Sequence, residues 1–293
     1  MSTNRRIFLK QTGLLLAGGI VGNRLLSSCA VSPISKKHIG LQLYSLRDDV
    51  KELGIKRVLE IVSKMGYQHL ETAGYSDGKI YGLEPKEFKT IVEDLGMRAT
   101  SAHLSRNISG NEDEDFAWWN KAIEAHNEAG MKYMVMPISP LSGDGATIEN
   151  VKRYGEYFNT IGMNAAAASI NFGYHNHAFE FNYVINDIPI FDLLMENTSP
   201  QHVSFQLDVF WCIEGGYDPV DYLKKYPKRI QMLHIKDDKA IGASGKIDFK
   251  PIFDTFYSNG MKDWYVEVEQ YDGTPQEDVK NSYDFLNNAG FVK

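Results

Sequence analysis

The sequence predicts an α/β fold, a closed (β/α)8 barrel in a single domain. Three observations carry this. Short β-rich runs alternate with amphipathic helices along the chain. The runs recur about every 30 residues, the size of one βα unit in a barrel of about 250 residues. No G-x-G-x-x-G follows the first run, as a doubly wound dinucleotide-binding sheet would need. Regular alternation implies a parallel sheet with right-handed crossovers.

In chain order, Met1–Cys29 is expected to be an export signal rather than part of the fold. Arg5 and Arg6 precede Phe8-Leu9-Lys10 and an apolar run from Gly13 to Gly22, too short to span a bilayer. The layout resembles a twin-arginine signal, and Leu26-Ser27-Ser28-Cys29 resembles a lipoprotein box whose cysteine becomes a lipid anchor. Residues 30–37 ("AVSPISKK") form a linker, and 38–293 the barrel. Strands are expected to end near Tyr44, Thr72, His103, Pro137, His177, Asp208, Lys236 and Glu269. Between them, Ile55, Val58, Leu59, Val62 and Met65 follow helical spacing, as do Phe88, Ile91, Val92 and Leu95. Gly66, Gly96, Gly130 and Gly260 each stop a helix ahead of a strand. "GDGAT" after the fourth strand and "DGTPQED" after the eighth read as mobile loops, a lid or dimer contact, against the plainer reading of exposed turns.

Composition excludes some functions. Cleavage before Cys29 removes Arg5, Arg6, Lys10 and Arg24 and no acid, so the net charge of -7 becomes -7 - 4 = -11. Such a body repels phosphate backbones and gives no support to nucleic-acid binding. Cys212 is then the one cysteine besides the anchor, so no internal disulfide is available. With 43% hydrophobic residues, one large core must stabilise the chain.

Catalytic residues of such a barrel gather where strands end. The polar residues there are Gln42, Tyr44, Glu71, His103, His175, His177, Asp208, His234, Lys236, Glu267 and Glu269. In "GYHNHAFEF", His175 and His177 alternate, so both imidazoles are expected to point the same way. One buried histidine is ordinarily a core residue. This many carboxylates and imidazoles at equivalent ends would cost several kcal/mol per unpaired charge without a purpose. They suit one divalent cation of borderline hardness, Mn, Zn, Co or Fe.

"GLQLYSLRD", "LDVFW", "LHIKD" and "VEVEQ", in this order, resemble the sugar isomerase/epimerase superfamily with a xylose-isomerase-like TIM barrel, which also holds the inosose dehydratases and endonuclease IV. The resemblance implies one metal held by residues of strands five to eight, carried onto His175, Asp208, His234 and Glu267. Glu269, on the same face, is the alternative eighth-strand ligand. His175 departs from the pattern, because the family has a glutamate there that both binds metal and moves a proton. His177 is then a neighbour of metal or substrate.

The leading reading is an exported, periplasmic, metal-dependent isomerase or epimerase acting on a non-phosphorylated carbohydrate by enolisation next to a carbonyl. Glu269, His177, Lys236 and Glu71 are candidate bases, in falling order. Tyr44, His103 and Trp211 are candidate substrate contacts, with Phe179 and Phe210 as further aromatic surface. Loss of the family's second glutamate raises the alternative of elimination from a keto-sugar or keto-glycoside. A non-catalytic sugar- or metal-binding lipoprotein is the competing class, and a homo-oligomer is left open.

Overall fold

The computed structural model describes residues 37–293. The expected signal, the anchor Cys29 and all of the linker but Lys37 lie outside the described residues. The strands are β1 (Gly40–Gln42), β2 (His69–Thr72), β3 (Arg98–His103), β4 (Tyr133–Met136), β5 (Asn171–His175), β6 (Val203–Asp208), β7 (Ile230–Ile235) and β8 (Asp263–Val266). All neighbours pair in parallel, and β8 closes on β1 to complete the barrel. At least one helix follows each strand, the outer ones being α1 (Ile55–Met65), α2 (Pro85–Asp94), α3 (Glu112–Glu128), α4 (Ile148–Ala167), α5 (Ile190–Glu196), α6 (Pro219–Lys225), α7 (Phe249–Ser258) and α8 (Pro275–Asn288). Short helical turns, among them Leu43–Leu46 and Val209–Glu214, and two small hairpins decorate the strand ends. Among the described residues, no helix is long and apolar enough to cross a membrane.

The helices form where apolar spacing predicts. Ile55, Val58, Leu59 and Val62 of α1 and Phe88 and Val92 of α2 are buried against the strands. Gly66, Gly96, Gly130 and Gly260 all adopt positive φ, the left-handed stop that glycine allows without a Cβ penalty. Tyr133, Val135, Met232 and Tyr265 pack as a separate buried cluster. Cys212 is buried and free.

One expectation is corrected. The ladders stop short of Tyr44, Pro137, His177, Lys236 and Glu269, at Gln42, Met136, His175, Ile235 and Val266. Beyond them the backbone finds other partners: Pro137 has no N–H, that of His177 donates to Glu180 at 2.7 Å, and that of Val268 donates to Ser45 Oγ at 2.9 Å. The segments "GDGAT" and "DGTPQED" both lead into helix starts. Thr147 caps α4, and Thr274 with Glu277 forms a capping box on α8.

One buried residue of α3 makes stability depend on pH. His126 is fully buried; its Nδ1–H donates to the Ala122 carbonyl at 2.7 Å and its Nε2 has no partner. Burial pushes its pKa from the usual 6.5 down to about 4. The unfolded chain therefore binds the extra proton, and the contribution is complete above pH 6.5. It is lost as pH falls toward 4, by about 1.4 kcal/mol per unit. His126→Gln is expected to flatten the pH dependence of urea unfolding over that window. Coincident slopes for parent and variant would remove this imidazole as a source of acid sensitivity.

Candidate metal centre and active site

Two irregularities in the barrel set the site. The register of β2 on β3 shifts between Leu70 and Glu71, and that of β6 on β7 shifts between Phe205 and Gln206. Bulges re-aim side chains and recur beside active sites. Here the two side chains that follow the shifts meet across the barrel, with Gln206 Nε2 donating to Glu71 Oε1 at 2.9 Å.

Glu71 is fully buried and surrounded by donors. Ser101 Oγ donates at 2.6 Å, Gln42 Nε2 at 2.7 Å and His234 Nε2 at 2.5 Å, and His103 Nε2 lies 3.2 Å away. Burial opposes ionisation, but His103, His234 and these hydrogen bonds outweigh it and bring the carboxyl to about 2. Glu71 is thus a fixed anion beneath the site.

That anion assigns the histidine tautomers. Gln206 must donate its amide to Glu71, so its carbonyl oxygen faces the imidazoles. It accepts from His175 Nδ1 at 3.1 Å and from His103 Nε2 at 2.7 Å. His175 therefore turns its Nε2 lone pair the other way, toward Asp208. His234 donates from Nε2 to Glu71 and turns Nδ1 toward the same place, 3.2 Å from Glu267 Oε2.

His175 Nε2 and His234 Nδ1 each lie 4.0 Å from Asp208 Oδ2. One atom from each of His175, Asp208, His234 and Glu267 falls within 4.8 Å of the others. Two imidazoles and two carboxylates suit a borderline divalent cation. The fit is supported by an orphan: Asp208 Oδ1 accepts from the Trp211 N–H at 2.9 Å, but Oδ2 is buried with no hydrogen-bond partner among the described residues. Burial pushes Asp208 up to about 7 despite Lys236 and His234. Burial also works against the His234 cation, yet Glu71 and Glu267 override it and hold its pKa at about 10. His103, His175 and His234 form a second grouping of the same kind.

Above the cluster opens a pocket of about 430 Å³. Of the sequence-derived candidates, Tyr44, His103, His175, His177, Glu267 and Glu269 line it. Asp208 and His234 lie beneath, fully buried. Lys236, Trp211 and Glu71 are not among its lining residues. Lys236 Nζ pairs with Glu269 at 2.6 Å and Glu267 at 3.2 Å and lies 4.9 Å from the centre of the Trp211 ring. Burial opposes its charge, but Glu267, Asp208 and Glu269 hold it well above the usual range. Trp211 sits 5.8 Å from the His177 ring. Burial pushes His177 down to about 4, so its imidazole is neutral near pH 7.

Gln206, Tyr75 and Trp118 are among the contributors that escaped the sequence reading. Gln206 lies two residues before Asp208, and strand alternation would have put it on the same inward face. Tyr75 and Trp118 line the pocket from the hairpin after β2 and from α3, and no periodicity marks them.

The family model described as xylose isomerase-like TIM barrel matches residues 59–289. The chain belongs to this family. The chain is similar to the inosose dehydratase of Geobacillus thermodenitrificans (strain NG80-2), 26% identical over 266 residues, covering 76% of this chain and 86% of that enzyme. The inosose dehydratase of Clostridium tetani (strain Massachusetts / E88) is likewise 26% identical, over 264 residues, with coverage of 76% and 86%. Among solved structures, a sugar phosphate isomerase/epimerase from Parabacteroides distasonis ATCC 8503 is 34% identical with a TM-score of 0.83, covering 91% of this chain and 99% of that one. The chain is a barrel of the sugar isomerase, epimerase and dehydratase type, and the family implies a small carbohydrate substrate.

Proposed function

We propose that this barrel is a metal-dependent lyase that removes the proton α to the carbonyl of a non-phosphorylated keto-sugar and expels the β-substituent. The observation that carries it is the cluster of His175, Asp208, His234 and Glu267 around the orphaned Asp208 oxygen. These four residues would hold a divalent cation, which supplies Lewis acidity toward a carbonyl or adjacent hydroxyls.

Glu269 is the base. Its carboxylate lines the pocket and is held by Lys236 at 2.6 Å. It takes the proton as the C–H bond breaks. The electron pair moves to the carbonyl and returns to break the β C–O bond, and protonated Glu269 gives its proton to the departing oxygen. The two carboxylates among the lining residues, Glu267 and Glu269, both follow β8. The far side of the barrel, at the ends of β3 and β5, presents His103, His175 and His177. A one-sided carboxylate suits elimination, whereas epimerisation needs a proton from the opposite face. The inosose dehydratase relatives support the same choice. Among the described residues, no lysine or arginine lines the pocket, which favours a sugar without phosphate. That agrees with the export signal and lipid anchor read in Met1–Cys29, which remain part of the proposal. Isomerisation or epimerisation is the second reading, favoured by the 34% identical isomerase/epimerase.

Proton NMR in deuterium oxide separates them, with the Mn-loaded protein and either 2-keto-myo-inositol or a 3-keto-glucoside. New enone signals or a released aglycone support elimination. Deuterium at the α-carbon of an otherwise intact sugar would establish the second reading instead. If neither compound changes, the carbon-acid chemistry is wrong.

A further inference from the structure

The pocket has two chemically different ends. One lies over His175, Glu267 and Glu269 and is polar. The other is formed by Ala73, Tyr75, Leu104, Trp118, Pro137 and Ile138, from the segments after β2, β3 and β4 and from α3. Besides the Tyr75 phenol and the Trp118 indole N–H, these segments add one hydrogen-bonding side chain to the lining, Ser105. A sugar ring placed there would leave hydroxyls facing carbon, at a cost of roughly 1–3 kcal/mol for each unpaired group.

The apolar end is also preformed. Tyr75 meets Trp118 edge-on at 5.3 Å, and Trp118 meets Trp119 edge-on at 5.1 Å. Trp119 is fully buried and donates from Nε1 to Tyr157 Oη at 2.8 Å. Tyr75 also packs 5.1 Å from the buried ring of His126. On its other side the hairpin carrying Tyr75 turns through Asp77 and Gly78, both at positive φ. Two half-buried rings are thus locked by the core behind them, while Ile138 stays 45% exposed across the mouth. Rigid aromatic surface held open beside a polar site is suited to an apolar, planar ligand group.

We propose that this end is an aglycone subsite: the substrate is a glycoside whose sugar lies over the metal ligands and whose aromatic aglycone rests on Trp118 and Tyr75. The inference rests on the sugar-over-metal reading given above.

Calorimetric titration of the Mn-loaded full chain tests it, with 4-nitrophenyl glucoside, methyl glucoside and cellobiose as probes. The aryl glucoside is expected to bind at least tenfold tighter than the methyl glucoside. Trp118→Ala and Ile138→Ala should each shrink that ratio and leave the methyl glucoside affinity in place, whereas a misfolded variant would lose both. A ratio within twofold of one in the parent, or one that survives both substitutions, overturns the inference. So does cellobiose binding as tightly as the aryl glucoside, or no saturable aryl binding at all. Asp208→Asn serves as the control on the underlying reading. If it weakens both glucosides alike, the sugar lies at the metal end. If it weakens neither while the aryl preference persists, the subsite stands and the sugar-over-metal reading fails.

Discussion

Asp208→Asn is expected to abolish stoichiometric metal binding and to lower turnover by about 10³-fold or more, the loss of several kcal/mol of Lewis-acid stabilisation. Asparagine keeps the oxygen that caps the Val209–Glu214 turn through the Trp211 N–H, so the fold is preserved. What changes is the second oxygen, which is buried without a partner in the parent. An amide there cannot serve as an anionic ligand. A reversal in stability follows. Without added metal, the variant should unfold no more easily than the parent, because it carries no unpaired buried carboxylate. With Mn²⁺ at 100 times its dissociation constant, the parent should gain about 2.7 kcal/mol and the variant nothing. Thermal unfolding with and without Mn²⁺, beside metal analysis of both proteins, checks this. Equal metal content in parent and variant would remove Asp208 from the ligand set.

Glu71→Gln is expected to damage the same centre without touching the metal. The Glu71 carboxylate receives Gln42, Ser101, Gln206 and His234. An amide nitrogen in place of one oxygen would point a donor at donors. In the metal-free protein it would also leave the cationic His234 without its strongest partner. Breaking one side of a buried charge pair costs about 3–5 kcal/mol, and loss of the groups that orient metal ligands lowers affinity about 10–100-fold. Both effects can be read separately, by urea unfolding and by Mn²⁺ titration of the fraction that remains folded. A Mn²⁺ affinity within twofold of the parent would show that the histidines orient themselves without Glu71. The sequence reading placed Glu71 last among the candidate bases. Its position explains a different role, since a fully buried carboxylate saturated with donors cannot reach a substrate carbon.

Much of the barrel was legible because each βα unit reports on itself. Helical spacing in Ile55–Met65 states which face is buried, and a glycine such as Gly66 marks where the helix must stop. Strand ends were read one to three residues late at five positions, because apolar residues such as Val268 continue past the ladder. There a side chain, Ser45, replaces the neighbouring strand as hydrogen-bond partner. The polar residues at those ends were visible as a set. Their division into pocket-lining, buried and orienting groups was not, because it depends on depth within the barrel.

The sequence by itself determined the repeating βα architecture, the catalytic end of the barrel and the pool of imidazoles and carboxylates gathered there. These follow from local periodicity, which needs no knowledge of distant neighbours. Tertiary structure alone decided how that pool is wired. The register shifts at Glu71 and Gln206 join residues 135 apart in the chain; that hydrogen bond turns Nε2 of His175 toward Asp208, while a second, from His234 Nε2 to Glu71, turns Nδ1 of His234 there. The aromatic wall of Tyr75 and Trp118 also arises from packing, between a hairpin and a helix of neighbouring βα units. Side-chain type is written in the chain; the direction in which a lone pair points is a property of the packed fold.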